Sequence, residues 1–111
     1  MRTNPLMRAL LLLLLLAASG QSAADVQRDY NRGLEAYRDG DLAEAADYFE
    51  QSAEKGYVEA QVELAGMYLK GEGVEQDAAD AASWYLKAAR QGHAASQYKL
   101  AQLFREGNGV T

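Results

Sequence analysis

A chain of 111 residues with one His, one Pro and no Cys holds at most one small domain. Eleven Lys and Arg against sixteen Asp and Glu give a net charge of −5, and 49% apolar with 24% charged residues is the balance of a chain that folds. That balance argues against a general affinity for nucleic acid, which needs clustered cations facing phosphate. The absence of Cys excludes disulfides, thiol catalysis, haem attachment and cysteine-ligated zinc, and a single His excludes every multi-histidine metal site.

The first element in chain order is an address. Met1 to Ala24 carry no acidic residue, Arg2 and Arg8 form a positive start, and Leu10 to Leu16 are all leucine. The apolar run Ala9–Ala18 spans roughly 15 Å as a helix, half of the roughly 30 Å bilayer core. It therefore has the length of a signal-peptide apolar region, and residues 1–24 are expected to be a signal peptide cut after Ser22-Ala23-Ala24. A second possible cut follows Ala18-Ser19-Gly20. Cleavage before Asp25 leaves 87 residues with a net charge of −7 and removes all seven leucines, so no stable membrane insertion is expected of the mature chain. An exported domain without Cys fits a bacterial periplasm, reached by the general secretory route, better than a disulfide-rich eukaryotic pathway.

The mature region, 25–111, reads as five helices: about Val26–Asp39, Leu42–Lys55, Val58–Lys70, Ala78–Gln91 and Ala94–Arg105. Gly56 and Gly92 stand where a helix-ending residue takes positive φ, and Asp41 and Asp77 are candidate N-caps. At an offset of 36, Ala53–Glu75 and Ala89–Thr111 share eight identities, among them Gln61/Gln97, Leu64/Leu100, Gly73/Gly109 and Val74/Val110. A period of that size signals a solenoid. The fold class is all-α, an α/α solenoid of antiparallel helix pairs. Its first pair covers about 26–55, its second 56–91 and an incomplete third unit 92–111, about two and a half repeats. The expected core is Leu42, Ala46, Phe49, Leu64, Tyr68, Val74, Ala81, Ala82, Tyr85, Leu100, Leu103 and Phe104. Since each pair buries its apolar stripe only against the next, either self-association or a partner covers the open end at Phe104–Val110, or the domain is marginally stable.

The second pair reads Ala60, Leu64, Met67-Tyr68, Gly71, Gly73-Val74, Asp77, Ala81, Trp84-Tyr85, Lys87-Ala88-Ala89 and Gly92. This pattern resembles the SEL-one-like repeat (SLR) family, and the first pair, with Gly33, Ala45 and Phe49, resembles the related tetratricopeptide repeat. The resemblance implies a non-catalytic scaffold that holds a protein or peptide in a concave groove lined by the first helix of each pair, in envelope assembly, secretion or signalling. Positions expected to be exposed on those helices, and so candidates for protein binding, are Tyr57, Gln61, Lys70, Gln97, Tyr98 and Gln102. Gln61 and Gln97 would form an amide ladder; the plainer reading is that they solvate the helix. Trp84 sits at a packing position of the family.

Catalytic motifs are few and lack context. Ser52-Ala-Glu-Lys55 and Ser96-Gln-Tyr-Lys99 have the serine–lysine spacing of penicillin-binding enzymes, but the companion motifs are missing. Gly71-Glu-Gly73-Val-Glu-Gln76 starts like a dinucleotide fingerprint without its last glycine or a preceding strand. Glu72, Glu75, Asp77 and Asp80 lack the spacing of a calcium loop, and His93 is expected to be an exposed histidine. No catalytic, cofactor or metal residue is assigned. The alternatives are a hydrolase of cell-wall or β-lactam substrates acting through Ser52 or Ser96, and a membrane-tethered structural element with an uncleaved leader.

Overall fold

A computed structural model describes residues 5–6 and 22–110. The signal-peptide reading of residues 1–24 therefore lies almost wholly outside the described residues. Residues 22–110 form five helices: α1 (Ala23–Arg38), α2 (Leu42–Glu54), α3 (Val58–Lys70), α4 (Ala78–Arg90) and α5 (Ala94–Glu106). Each coincides with a helix read from the sequence, with ends shifted by at most three residues.

The sequence accounts for the punctuation. Gly56 and Gly92 take φ of 93° and 89°, so the three-residue links after α2 and α4 reverse the chain without a Cβ penalty. Asp77 caps α4 by accepting from the Asp80 N–H at 3.0 Å. Asp41 stands at the matching position before α2 but makes no side-chain capping bond. Its backbone carbonyl still accepts from the Ala45 N–H at 2.9 Å, so that carboxylate contributes only its charge at the helix start.

Helices α1 and α2 form one pair, α3 and α4 the next, and α5 starts a third unit on α4. One core joins Ala36, Ala45, Ala46, Phe49, Ala53, Ala60, Leu64 and Met67, with Tyr30, Tyr68, Val74 and Trp84 packed around it. A second joins Ala65, Ala81, Ala82, Tyr85 and Leu103, with Leu100 and Val110 at its edge. Eight of the thirteen buried residues of the two cores are alanines, which let the helix axes approach closely. Gly33 serves the same end, since a Cβ there would lie 2.6 Å from the Phe49 ring.

The expected core therefore forms with one correction. Leu42, Tyr68, Val74 and Leu100 are half-buried, and Phe104 is 56% exposed. Phe104 occupies the position of Tyr68, yet Tyr68 has a following helix against it and Phe104 has none among the described residues. Trp84 takes its expected packing place between the two cores, with Lys87 Nζ 4.1 Å from its ring centroid.

Candidate functional site: the first-helix face

Helical spacing sorts each first helix into stripes. On α5, Ser96, Leu100 and Leu103 turn inward, and Ala95, Tyr98, Lys99 and Gln102 share one outer stripe. Glu59, Val62, Glu63 and Gly66 form the matching stripe on α3. The α1–α3 junction is closed by Tyr57, whose ring meets Tyr30 edge-on at 5.1 Å and whose hydroxyl donates to Gln27 Oε1 at 2.7 Å. At the α3–α5 junction, Val62, Tyr85, His93, Ala95, Ser96 and Lys99 line a shallow cavity of about 290 Å³.

The charges of this face reach its aromatic groups. Burial raises the Tyr30 phenol above its ordinary value, and the carboxylates of Glu63 and Glu59 add to the effect. Burial raises Tyr85 as well, again with a contribution from Glu63. Glu59 and Glu63 thus give the middle of the face a negative character, while Lys99 supplies a cation at its far end.

The six residues expected to bind do not form one patch. Tyr98 is 67% exposed and stands free at the edge of the stripe. Gln102 is half-buried and donates to Glu106 Oε1 at 3.1 Å, one helical turn away. Tyr57 is half-buried in the α1–α3 junction. Lys70 is exposed at the other end of α3, with Nζ 3.5 Å from Glu72, roughly 20 Å from Tyr57 along the helix.

The two glutamines need the largest correction. Gln61 is not exposed: only 3% of it is accessible. It donates to the Ala53 carbonyl at 3.1 Å and accepts from Gln91 at 3.1 Å. The spacing Gln61, Leu64, Tyr68 places it on the side of α3 that meets α4. Gln97 shares that register with Leu100 and Phe104 and donates to the Ala89 carbonyl at 3.1 Å; it is exposed because no helix of the described residues lies against the side it faces. The amide ladder exists, but it joins consecutive units rather than lining a groove.

Tyr30, Glu59, Val62, Glu63, His93 and Lys99 complete the face and were not singled out as binding positions. The spacing of residues 59, 62, 63, 95, 98 and 99 marks this stripe in the sequence, directly beside the one that carries the repeated Gln61 and Gln97. His93 is half-buried rather than exposed. It caps α5, its Nδ1 accepting from the Ser96 N–H at 3.1 Å and lying 2.7 Å from Ser96 Oγ.

Neither serine–lysine motif presents an open nucleophile. Ser52 is fully buried and donates to the Val26 carbonyl at 3.0 Å, tying α2 to α1. Its neighbour Lys55 pairs with the buried Asp29 at 3.5 Å. Ser96 is 1% accessible and engaged with His93. Among the described residues there is no cluster of His, Asp and Glu suited to a metal ion, and no helix long and apolar enough to cross a membrane.

The Sel1 repeat family model matches residues 30–57, 58–93 and 94–111, so it also takes in the first unit, whose spacing resembles a tetratricopeptide repeat. A Sel1 repeat protein from Oxalobacter formigenes is similar over 62% of this chain and 28% of its own, with 36% identity and a TM-score of 0.61. A protective antigen of uropathogenic Escherichia coli strains, which displays an SLR fold, is similar over 98% of this chain and 22% of its own, with 37% identity and a TM-score of 0.71. This chain thus spans less than a third of the length of either solved protein. Among curated proteins no sequence match reaches significance. Three consecutive matches along a helical array with these packing glycines and alanines give the family: the chain belongs to the Sel1 repeat proteins.

Proposed function

We propose that this protein is an exported, non-catalytic interaction module that binds a protein or peptide on its first-helix face, in the bacterial periplasm. The observation that carries the reading is the continuity of that face. From Gln27 and Tyr30 through Glu59, Val62 and Glu63 to Tyr98 and Lys99, it offers exposed polar groups, aromatic edges and one shallow cavity, on helices whose opposite sides are locked into the cores. Such a surface suits a chain with polar backbone groups and a few side-chain anchors, as the rim and core of protein interfaces do. Membership of the Sel1 family supports the coarser statement, a helical-repeat interaction module. Export rests on the sequence of residues 1–24 alone, and a role in envelope assembly, secretion or signalling extends that reading.

The test is site-specific photocrosslinking in the periplasm. A photoreactive phenylalanine at Tyr98 or Val62 is expected to capture the same protein partner, and the same group at Asp47, on the outer side of α2, is expected to capture nothing comparable. Equal capture from all three positions, or capture from Asp47 alone, would remove the first-helix face as the binding surface.

A further inference from the structure

The two junctions between first helices differ at matching positions. Thirty-six residues apart, Phe49 gives way to Tyr85, Tyr57 to His93, Glu59 to Ala95 and Glu63 to Lys99. The first set closes the α1–α3 junction: the Tyr30 ring lies 5.7 Å from Phe49 and 5.1 Å from Tyr57, whose hydroxyl donates to Gln27. The second set leaves the cavity of about 290 Å³ between α3 and α5. His93 is smaller than Tyr57, and its Nδ1 is held by the Ser96 N–H at the start of α5.

Two polar groups reach this cavity without a partner. Tyr85 is 7% accessible, and its hydroxyl comes out beside Gly66 of α3, where an added Cβ would lie 3.9 Å from it. Among the described residues that hydroxyl makes no hydrogen bond, although a phenol so enclosed ordinarily finds a partner. Its raised pKa keeps the proton in place, so it stands as a donor. Lys99 is half-buried, and its ammonium joins none of the ion pairs of the described residues. The first turn of α5 carries no acidic residue, where α3 has Glu59, so no carboxylate of that turn offsets the positive end of the helix. Donor, cation and helix end together call for an anion, and Val62 and Ala95 add an apolar wall beside them. On α3 the same stripe stays exposed at Glu63 with a further unit after it, so the cavity does not owe its opening to the position of the last residue.

We propose that this cavity is an acidic-residue subsite of the first-helix face. It takes one glutamate side chain of a bound peptide, with the methylenes against Val62 and Ala95 and the carboxylate accepting from the Tyr85 hydroxyl and the Lys99 ammonium. The proposal rests on the reading of that face as the binding surface and names what the partner carries at this point. A side chain fits better than a chain terminus, because the face continues past the cavity on both sides, to Glu59 and Glu63 and to Tyr98, and an extended peptide crosses it without ending. Glu59 and Glu63 repel further acidic residues, so the match is a single carboxylate rather than an acidic run. Residues 1–24 contain no Asp or Glu, so the start of the chain does not supply it.

The probes are two blocked peptides, acetyl-Ser-Val-Glu-Val-Ser-amide and its glutamine counterpart, titrated into the isotope-labelled full chain by NMR. The glutamate peptide is expected to bind about tenfold more tightly, the scale of a hydrogen bond to a charged group, with shifts centred on the amides of Val62, Ala95 and Lys99. Tyr85→Phe is expected to weaken the glutamate peptide several-fold and to leave the glutamine peptide unchanged. Phe49 holds the same place one unit earlier, so this variant is expected to keep the parent's circular dichroism. Lys99→Gln is expected to abolish the preference for glutamate. Equal binding of the two peptides, or no binding of either, overturns the subsite, as does a preference that neither variant changes. Tighter binding of acetyl-Ser-Val-Gln-Val ending in a free carboxylate overturns it in favour of a chain terminus. The face itself is judged separately by photocrosslinking: partner capture at Tyr98 that survives both variants at full strength keeps the face and removes the subsite.

Discussion

Gln91 reaches back across its own unit to donate its carboxamide to Gln61 at 3.1 Å. Gln61 passes the link on to the Ala53 carbonyl, so the ends of α2 and α4 are joined through one buried side chain of α3. Replacing Gln61 with Leu keeps the volume and leaves both neighbours without their partner. The expected cost is about 1–3 kcal/mol, the range for stranding enclosed polar groups. Gln97→Leu, at the open counterpart, is expected to cost less than about 1 kcal/mol because water replaces the lost bond there. Urea denaturation of the two variants measures the difference, and equal costs would show that the bridge contributes nothing.

Gly73 and Gly92 both have positive φ, at 71° and 89°, but their surroundings differ. A Cβ on Gly73 would lie 2.2 Å from the Leu42 carbonyl oxygen, whereas one on Gly92 would meet nothing within 4 Å. Gly92→Ala is expected to cost about 1–2 kcal/mol, the penalty of a left-handed backbone alone. Gly73→Ala adds a clash with the backbone that starts α2 and is expected to cost clearly more. Thermal melts of the two variants rank them, and the reverse order would contradict the packing of this loop on α2.

Ser22 lies just before α1, with its hydroxyl oxygen accepting from the Asp25 N–H at 3.1 Å. A mature chain starting at Asp25 lacks this cap and two residues of the helix; one starting at Gln21 keeps both. The longer form is expected to be more stable by about 1 kcal/mol, the usual value of a serine cap. Melting curves of the two purified forms check this, and the intact mass of the chain recovered from cells tests whether the proposed cleavage occurs and at which of the two ends.

Four phenols hold their protons more tightly in the folded chain. Burial is the leading cause for Tyr30, Tyr68 and Tyr85, and the hydrogen bond to Glu72 is the leading cause for Tyr37. Their folded values lie above the ordinary 10.0, so the folded state binds more protons in the interval above it. Their contribution to stability is therefore complete below pH 10 and is lost as the pH rises through the folded values. The urea midpoint is expected to drop above pH 10, in step with tyrosinate absorbance. A midpoint that stayed level through that titration would contradict the raised values.

Much of this fold was legible because local and long-range signals agree. The helices, the turns at Gly56 and Gly92, and the register of the repeat all follow from residue type at fixed spacing. Burial was less legible wherever it depends on which unit comes next. Gln61 and Gln97 are the same residue in the same register, yet α4 covers one and leaves the other in water. Tyr68 and Phe104 differ in the same way. Hydrogen-bond roles were also hidden, since nothing in the neighbouring residues marks His93 as a cap, or Asp41 as a residue at the cap position that makes no side-chain bond.

The Gly73 loop rests on Leu42 and Ala43, and the Gly109 loop rests on Ala78 and Ala79, 31 residues earlier in each case. The side-chain hydrogen bonds of the described residues reach no further than 35 positions, as in Tyr37 to Glu72 and Gln91 to Gly56. Every unit is thus wired only to the one beside it. Short-range wiring of this kind favours rapid folding, and it makes the molecule extensible. A second copy of residues 58–93 spliced in after residue 93 would meet the same partners on both sides and lengthen the array, while every existing link kept its span.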